Sequence, residues 1–540
     1  MSRGVSTPSI RAERLAAGFV FLLGAVLLFV TAPHHGEFWW SAAPRHALNG
    51  VFVKDLIVAM PAHPGTWAMQ YYVRYPALTI LFYPPLFYVI LALVYALFGV
   101  SHATALAVVL LHYLALAFGL YLLARCWIGP LAAIAVGLAV MATPGIALWG
   151  RQVMLEVPSV AYAVWAALLL RRHVSDGRPG ALYLSAFLLL CATYTKITTI
   201  FLFPVFALTL LVARGPALLR ERRTWVVAAL TIVGLIPVVY LTVAFGGANV
   251  QSVTGIPDAA VSRDSIAGWV WYARQMPSQL GWPLLILAIL AVPLGFSRRL
   301  SRSDLVLLGG WFLLGYLLLS LIALKEARHA LIILPVALLA AGLAIDTVLP
   351  PRAAGVALLV LVIGTGAYTW SEAPTPYVDG YREAAEWIAR EVPRDAVVVF
   401  SGKRDGSFIF NIRAIESRPD IAILRADKLL LEVAVRRTLG VQEKPLSEQE
   451  IGDLLDRDGV SYVVAQDGFW ADLPVKARLQ SVLRSAHFQE VARIPVVANM
   501  ETEDRTLLIY RNMGNVARGP HIVDLHLPII GKQVEGAVGR

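Results

Sequence analysis

The sequence predicts an α-helical polytopic membrane protein with a C-terminal soluble α/β domain. Two observations predict the membrane part: the 540 residues are 58% hydrophobic with a mean hydropathy of +0.66, and only 15% are charged, where soluble proteins carry about 25%. A third predicts the second domain, since from about residue 377 short β-rich runs alternate with amphipathic helical patterns. We expect a membrane domain over residues 1–372 and a soluble domain over residues 377–540.

The charge balance and the cysteine content argue against two classes of protein. A net charge of +10 is explained in a membrane protein by basic cytoplasmic loops and anionic lipid, so no nucleic-acid partner is expected. The two cysteines, Cys126 and Cys191, lie in or beside apolar segments and lack metal-ligand spacing. They indicate neither a disulfide framework nor a zinc site.

The first apolar run, residues 15–32, is expected to be an uncleaved membrane span. Arginines precede it, and Pro33 follows the only small-residue site at which a signal peptidase would cut. Because positive charge is retained in the cytoplasm, the N-terminus is predicted to lie there.

Further apolar segments bring the total to about 11–12. They lie at 80–99, 103–124, 129–147, 153–170, 181–195, 197–213, 225–245, 281–296, 304–324, 329–349 and 353–370. Several are shorter than the ~20 residues of a straight span, which indicates tilted, kinked or half-inserted helices. The segment 129–147 is interrupted by Pro144 and Gly145 and is the one least expected to cross fully.

Three basic loops set the predicted orientation. Residues 171–178, 214–223 and 297–303 are arginine-rich and are therefore expected in the cytoplasm. That arrangement puts the loops 33–79 and 246–280, together with the C-terminal domain, outside. Abundant alanine, leucine, glycine and arginine fit a bacterium with a GC-rich genome, so the expected location is the bacterial cytoplasmic membrane.

The C-terminal domain is predicted from alternating patterns. Helices are expected at 381–393 and 451–460, and strands at 395–402, 421–427, 461–467, 490–498 and 506–512, with 521–530 as an added edge strand. No glycine-rich phosphate loop follows any of these strands. The sequence therefore indicates no nucleotide site in this domain.

A polar stretch from residue 34 to residue 88 separates two apolar segments and is rich in tryptophan and tyrosine. Carboxylates and cations beside a membrane span favour a site at the bilayer surface, although an aromatic-belt loop of a transporter has the same composition. Glu37 is the predicted general base for an acceptor hydroxyl. Asp55 is either a second base or the cap of a short helix. His34 and His35 either bind a divalent metal or are plain surface residues.

A second group of charges, Arg151 and Glu156, brackets the outer end of an apolar helix. A charged residue at a span end costs little free energy if it faces a cavity. Glu156 is expected to orient the acceptor or to bind a metal, and the alternative is a structural ion pair with Arg151.

A third group contains cations at external span ends: Arg74, Lys196, Lys325 and Arg328. Arginine and lysine at a membrane surface suit a phosphate or diphosphate, and would stabilise a departing lipid phosphate. The alternative is ordinary snorkelling of long side chains to the interface.

Together these features resemble the polyprenyl-phosphate-dependent glycosyltransferases of the GT-C fold, in the branch of family 39 that holds protein O-mannosyltransferases and lipid A aminoarabinose transferases. The resemblance covers about residues 10–350. The matching pieces are Glu37 after the first span, Y-P-P-L-F-Y at 83–88, R-x4-E-x-P at 151–158, the pair Thr195–Lys196 and K-x-x-R-H at 325–329.

Three positions depart from the family pattern. Gly36 stands where an Asp usually precedes the Glu, and Glu156 stands where an Asp is usual. Tyr83 replaces a Lys often found before the proline pair, so the donor phosphate is expected to rely on Arg74 or Lys196.

The resemblance implies an inverting transfer of a hexose or pentose from a polyprenyl phosphate to a hydroxyl of a lipid, glycan or protein. Glu37 and Glu156 would be catalytic, and Arg74, Lys196, Lys325 and Arg328 would hold the lipid phosphate. Arg151, Asp55 and Tyr83 would complete the cavity. Two alternatives remain open: a transporter or flippase of lipid-linked glycans, and a non-catalytic scaffold. A transporter predicts charges deep within several spans, whereas the charges here cluster at span ends.

Overall fold

The computed structural model describes residues 10–247, 261–294, 299–433, 437, 440–527 and 532–539. Two predicted loops, 246–280 and 297–303, therefore lie partly outside the described residues. The described part of loop 246–280 contains a helix, Ile266–Leu280.

The N-terminal part is helical. Its helices are α1 (Ile10–Val30), α2 (Ala42–Ala59), α3 (Pro64–Arg74), α4 (Leu86–Phe98), α5 (His102–Ala124), α6 (Pro130–Ala142), α7 (Pro144–Gly150), α8 (Glu156–Asp176), α9 (Pro179–Thr195), α10 (Leu202–Arg214), α11 (Arg222–Phe245), α12 (Ile266–Leu280), α13 (Trp282–Leu290), α14 (Arg302–Leu321), α15 (Leu334–Val348) and α16 (Pro351–Glu372). Short 3-10 helices at Ile197–Phe201, Gly215–Arg220 and Ala327–Ile332 connect some of them.

Six helical segments within the described residues are long and apolar enough to cross a membrane: α1, α5, α11, α14, α16 and the segment Ile197–Arg220. The pair α6 and α7 would make a seventh, but it is bent by 62°. Pro144 starts the second helix of the pair and cannot continue the first, which explains the interruption predicted for 129–147. Shorter apolar helices, α4, α9 and α15, pack among these spans. The chain is a multi-pass membrane protein, as predicted.

Partly buried ion pairs gather several helix ends at one end of the bundle. Arg125 at the end of α5 lies 2.6 Å from Glu13 in α1. Arg171 in the last turns of α8 lies 3.2 Å from Asp304 in the first turn of α14, and Trp127 donates a hydrogen bond to the same Asp304. The first helix and two of the basic loops predicted as cytoplasmic therefore share this end.

The polar stretch between the first two apolar segments forms helices α2 and α3. Helix α2 packs against α4 on one side and against the C-terminal domain on another. Most of its first half is buried, including the polar residues His46 and Asn49. His46 lies 2.8 Å from the hydroxyl of Tyr88, and Asn49 donates to Thr79. These bonds fix the loop to the start of α4.

The C-terminal part alternates strands and helices. The strands are β1 (Val378–Asp379), β2 (Val397–Ser401), β3 (Ala422–Arg425), β4 (Leu431–Val433), β5 (Val441–Glu443), β6 (Val460–Gln466), β7 (Phe488–Pro495), β8 (Val497–Ala498), β9 (Thr506–Asn512), β10 (His521–Leu527) and β11 (Lys532–Val538). The helices are α17 (Tyr381–Glu391), α18 (Asp405–Ala414), α19 (Ala426–Leu429), α20 (Glu448–Arg457) and α21 (Pro474–Arg484).

Five strands form the main sheet in the order β3-β2-β6-β9-β7. Strand β2 pairs in parallel with β3 and β6, whereas β9 pairs antiparallel with β6 and β7. The predicted α/β character is confirmed, and the two late strands predicted at 490–498 and 506–512 pair with each other, as β7 with β9. Helices α18 and α21 were not predicted from the pattern.

The edge strand predicted at 521–530 is wrong for its described residues. Strand β10 pairs antiparallel with β11 in a separate two-stranded hairpin. The reason is the segment that follows it, which supplies an antiparallel partner. The buried side chains Val523, Leu525 and Val534 share an apolar core with Val73 of α3, so the hairpin attaches the C-terminal domain to the membrane part.

Candidate active site

A cavity of about 770 Å³ lies between the membrane helices and the C-terminal domain. Its charged and aromatic lining residues include Trp40, Arg45, Tyr72, Tyr83, Trp149, Glu326 and Arg328 from the membrane part, and Lys403, Asp405, Arg425, Asp427, Lys428 and Trp470 from the C-terminal domain. The volume is in the range of small-molecule sites, about 300–1,000 Å³. Convergent charges of both signs and aromatic rings make this cavity the candidate active site.

Glu156 and Lys196 meet beside this cavity. The Lys196 ammonium lies 2.6 Å from the Glu156 carboxylate, and their side chains are 12% and 5% exposed, respectively. Glu156 is in the first turn of α8 and Lys196 caps the end of α9. Each charge is favoured by the helix dipole at its position. Because α8 and α9 form a tightly packed helical hairpin, these two ends lie side by side.

Arg328 joins this pair to the cavity. Its Nε lies 3.5 Å from Glu156 and 2.5 Å from Glu326, and its guanidinium lies 5.9 Å from the centre of the Trp149 ring. Arg328, Glu326 and Trp149 all line the cavity. Three residues from three separate motifs, Glu156, Lys196 and Arg328, are thus brought together.

Tyr83, which was expected to complete the cavity, is among its lining residues. Its ring lies edge-to-face with His46, 4.9 Å between centroids. His46 in turn lies 2.8 Å from the hydroxyl of Tyr88. The proline-pair motif therefore contributes to the cavity wall and to the packing behind it.

Glu37 occupies a tight loop and is not among the described residues that line the cavity. Its carboxylate accepts a hydrogen bond of 2.6 Å from the backbone N–H of His35. The N–H of Gly36 donates to His102, and the Phe38 ring stacks on His102 at 3.8 Å. The loop around Glu37 therefore contacts α5 through His102, whereas Trp40, further along the same loop, lines the cavity.

Asp55 and Arg74 contact the C-terminal domain. Asp55 forms an ion pair of 2.6 Å with Arg413 and accepts a hydrogen bond from the Tyr71 hydroxyl. Arg74 donates to the backbone carbonyls of Pro419 and Asp420. Both residues were predicted to serve the cavity, but in the described chain these contacts attach α2 and α3 to the C-terminal domain.

Arg151 and Lys325 also make local contacts. Arg151 donates to the carbonyl of Ala147, and its guanidinium lies 5.1 Å from the centre of the Trp370 ring. Within the described chain Arg151 forms no ion pair with Glu156, which pairs with Lys196 instead. The Lys325 amine donates to the carbonyls of Leu319 and Ser320, capping the end of α14.

The C-terminal domain supplies cavity residues that the sequence patterns did not single out. Asp405 accepts two hydrogen bonds of 2.7 Å from Arg45 and lies 2.7 Å from Arg425. Arg425 also pairs with Asp427 at 2.5 Å. Asp405 follows β2 and Asp427 follows β3. The carboxyl ends of parallel strands are where ligands bind in open α/β sheets. The place of Asp405 and Asp427 after these strands is the feature of the sequence from which these cavity residues could have been predicted.

Burial changes the acid–base behaviour of this part of the cavity. Burial would raise the pKa of the Asp427 carboxyl, but the Arg425 guanidinium holds it well below its usual range. Burial lowers the pKa of Lys428 to about 8. Lys476, behind the cavity, is fully buried and hydrogen-bonded to Ser401, and burial lowers its pKa to about 8 as well.

The expected metal ligands are not assembled. Among the described residues, no group of three or more His, Cys, Asp or Glu side chains is arranged to hold a metal ion. The His34 ring instead stacks on the Phe29 ring, with centroids 5.1 Å apart, and lies tilted against the His35 ring at 4.2 Å.

Comparison with known proteins relates this architecture to a family of transferases and to a known fold. A family model described as dolichyl-phosphate-mannose-protein mannosyltransferase matches residues 83–241, a span that includes the proline-pair, R-x4-E-x-P and Thr195–Lys196 motifs. None of the curated proteins compared with the chain matches it.

Solved structures show which fold the chain has. ArnT from Cupriavidus metallidurans bound to undecaprenyl phosphate superposes with a TM-score of 0.62 at 15% identity, over 93% of this chain and 100% of that one. The chain has the GT-C fold. The oligosaccharyltransferase of Archaeoglobus fulgidus in its apo form shares this fold at a TM-score of 0.53 and 13% identity, over 92% of this chain and 76% of that one. The arabinofuranosyltransferase AftD from Mycobacteria does so at 0.52 and 15%, over 96% of this chain and 41% of that one.

Proposed function

We propose that this GT-C protein is a membrane glycosyltransferase that moves a sugar from a polyprenyl-phosphate-linked donor to a hydroxyl of an acceptor. The observation that carries the proposal is Arg328, a cation at the wall of the cavity that is held in place by Glu156 and Glu326. A structural neighbour, ArnT, binds undecaprenyl phosphate. A cavity between membrane helices and a soluble domain gives a lipid-linked donor and a polar acceptor access to the same space.

The proposed reaction is an inverting displacement. The acceptor oxygen attacks the anomeric carbon, and the bond between that carbon and the phosphate oxygen breaks. Polyprenyl phosphate leaves with the electron pair, and the proton of the acceptor hydroxyl passes to a carboxylate. Arg328 stabilises the negative charge that develops on the departing phosphate. Lys196 neutralises the charge of Glu156 and holds its carboxylate beside Arg328. The ion pair therefore keeps these side chains in place although they are shielded from solvent.

Two carboxylates are candidates for the general base. Glu37 is proposed from its position after the first span, as in the family that the sequence resembles. Glu326 is the second candidate because it lines the cavity beside Arg328. A base must come within hydrogen-bond reach of the hydroxyl it deprotonates, which a wall residue satisfies directly.

The proposed location is the bacterial cytoplasmic membrane, with the cavity and the C-terminal domain on the outer face. The arginine-rich ends of α8 and α14 lie at the opposite end of the bundle from Glu156 and Lys196. Positive charge is retained in the cytoplasm, so the cavity would open outside, where lipid-linked sugars serve as donors.

The test is turnover of polyprenyl-phosphate sugars by the purified protein in nanodiscs, with release of polyprenyl phosphate as the readout. Wild type is compared with Arg328→Met, Glu37→Gln and Glu326→Gln. Glu383→Gln is the matched control, because Glu383 is an exposed carboxylate of α17 outside the cavity. We expect wild type and Glu383→Gln to consume a donor and Arg328→Met to lose this activity.

The two base variants separate the candidates. Loss of turnover in Glu326→Gln with activity retained in Glu37→Gln assigns the base to Glu326, and the reverse assigns it to Glu37. Absence of donor consumption by wild type across hexose and pentose donors would overturn the proposal and favour a transporter or scaffold.

A further inference from the structure

The C-terminal sheet has a switch point at the strand ends nearest the cavity. The chain leaves β2 through α18 to reach β3 on one side, then crosses to β6 on the other side of β2. Both neighbours run parallel to β2. In open parallel sheets, ligands bind outside the carboxyl ends of the strands at such a reversal.

A second cavity of about 300 Å³ lies at these strand ends. It is lined by residues that directly follow β2 and β6, including Lys403, Asp467, Phe469 and Trp470, and by Glu503. Lys403, Phe469 and Trp470 also line the large cavity that contains Arg328. The two cavities therefore meet at these three side chains, and we call the smaller one the crevice.

A stacked aromatic pair forms the boundary between the crevice and the large cavity. The rings of Phe469 and Trp470 are stacked, with centroids 4.7 Å apart and an interplanar angle of 18°. The backbone of Trp470 has φ of +55°, a left-handed conformation that is a genuine outlier for a bulky residue. Such strain persists where the surrounding structure fixes it, and it concentrates at binding sites.

We propose that the crevice binds a carbohydrate acceptor, with a sugar ring packed against the Trp470 ring of the Phe469–Trp470 pair and its reactive hydroxyl directed into the large cavity. The C–H face of a sugar ring is flat and apolar and matches the face of an aromatic ring. The hydroxyls of a sugar both donate and accept hydrogen bonds. The rim of the crevice carries side chains of both charges, since Lys403 pairs with Glu503 at 3.2 Å and Asp467 lines the same crevice.

The position of the crevice disfavours an extended peptide. A peptide bound by strand addition needs a sheet edge, and the edges of this sheet are β3 and β7. The crevice lies instead at the ends of β2 and β6, where no ladder of backbone groups is offered. The inference rests on the proposed function for the direction of transfer, but the binding itself does not depend on turnover.

The test is binding of linear neutral tetrasaccharides of mannose, glucose or arabinose to the full-length protein in nanodiscs, measured by isothermal titration calorimetry without donor. The diagnostic variant is Trp470→Gly. Glycine adopts a positive φ without strain, so this variant removes the ring while relieving the backbone. The control is Trp225→Ala, because Trp225 is an exposed tryptophan of α11. Trp282 is not used for this purpose, because it is the first residue of α13 and its replacement by glycine would disturb the start of that helix.

We expect at least one tetrasaccharide to bind wild type and Trp225→Ala equally, and Trp470→Gly at least tenfold more weakly, with an unchanged unfolding temperature. Equal binding to Trp470→Gly, or no carbohydrate binding by wild type, would overturn the inference. Saturable binding of a Ser/Thr-rich peptide in its place would overturn the carbohydrate assignment. If a tetrasaccharide binds through Trp470 but no donor is ever consumed, the crevice stands and the proposed function fails.

Discussion

The Lys196 ammonium lies 2.6 Å from the Glu156 carboxylate, at the adjoining ends of two helices that form a hairpin beside the cavity. Both side chains are nearly inaccessible to solvent. Their attraction therefore acts in a low-dielectric environment, and either charge left alone would be costly. The same carboxylate lies 3.5 Å from Arg328, so the pair links the packing of the bundle to the cavity wall.

A double-mutant cycle on this pair should show strong coupling. Glu156→Gln leaves the buried Lys196 charge without its partner and is expected to cost about 3–5 kcal/mol. Lys196→Met leaves Glu156 with Arg328, 3.5 Å away, and should cost less. The double variant removes both charges and should lose less than the sum of the single losses. The measurement is the apparent unfolding temperature of the four proteins in one detergent. Additive shifts would show that the two charges are independent.

Arg328 and Arg74 should differ sharply in their effect on activity, although both were predicted to bind the donor phosphate. Arg328 lines the cavity, whereas Arg74 donates to the carbonyls of Pro419 and Asp420. We expect Arg328→Met to lower donor turnover at least about a hundredfold, as for other electrostatic stabilisers. Arg74→Met should stay within a few fold of wild type. Comparable losses in the two variants would place Arg74 in the site after all.

Three of the predicted site residues, which the structure brings together, share one property. Glu156, Lys196 and Arg328 stand at ends of apolar segments, and helical hairpins bring such ends together with little dependence on the rest of the fold. The pattern of apolar segments therefore predicted that they lie at span ends. The same logic predicted the interruption at Pro144, because a proline cannot extend the preceding helix.

Asp55 and Arg74 were assigned to the cavity because the partners that bind them are invisible in the pattern. Arg413 lies 358 positions away from Asp55 in the chain, and Asp420 lies 346 positions away from Arg74. These contacts depend on how the C-terminal domain docks, which no local propensity encodes. The cavity role of Asp405 was missed for the same reason: its place after β2 is visible in the sequence, but the direction in which that sheet end faces is not.

Two neighbouring bridges to the C-terminal domain should contribute unequally to stability. Asp55 and Arg413 are mostly buried, whereas Glu416, the partner of Lys54, is about half exposed. Removing one partner of a buried pair costs about 3–5 kcal/mol, and an exposed pair is worth about 0–1 kcal/mol. Arg413→Met should therefore lower the unfolding temperature clearly and Lys54→Met little. Equal shifts would contradict the role assigned to burial.

The stability cost of Lys476 should depend on pH. Burial lowers the pKa of this lysine from 10.5 to about 8 in the folded protein. The unfolded chain therefore binds more protons between pH 8 and pH 10.5, and the stability contributed by this group rises with pH across that window. The full effect is about 3 kcal/mol at 1.36 kcal/mol per pKa unit.

Lys476→Met removes this cost and isolates it. At pH 7 the variant should be more stable than wild type, and the difference in unfolding temperature should shrink as the pH approaches 10. Lys403→Met, which removes a half-exposed charge in the same domain, controls for the general effect of losing a lysine. A stability difference that is constant with pH would show that Lys476 titrates normally.

Restoring the Asp-Glu pair usual in the resembling family should damage this protein. Gly36 has φ of +101°, a conformation that side chains rarely adopt, and an added Cβ would lie 2.5 Å from Oδ1 of Asn411. Asn411 is buried and donates to the Gly36 carbonyl, so it cannot easily move. Gly36→Ala should cost about 1–3 kcal/mol from backbone strain alone, and Gly36→Asp more.

Gly65→Ala is the matched control, because an added Cβ at Gly65 in α3 meets no atom within 4 Å. This change should leave the protein unchanged or stabilise it by up to about 1 kcal/mol through helix propensity. Unfolding temperatures of the three variants are the measurement. A Gly36→Asp variant as stable as wild type would mean that the loop tolerates the usual acidic pair. In that case the close contact with the C-terminal domain would not explain why glycine stands there.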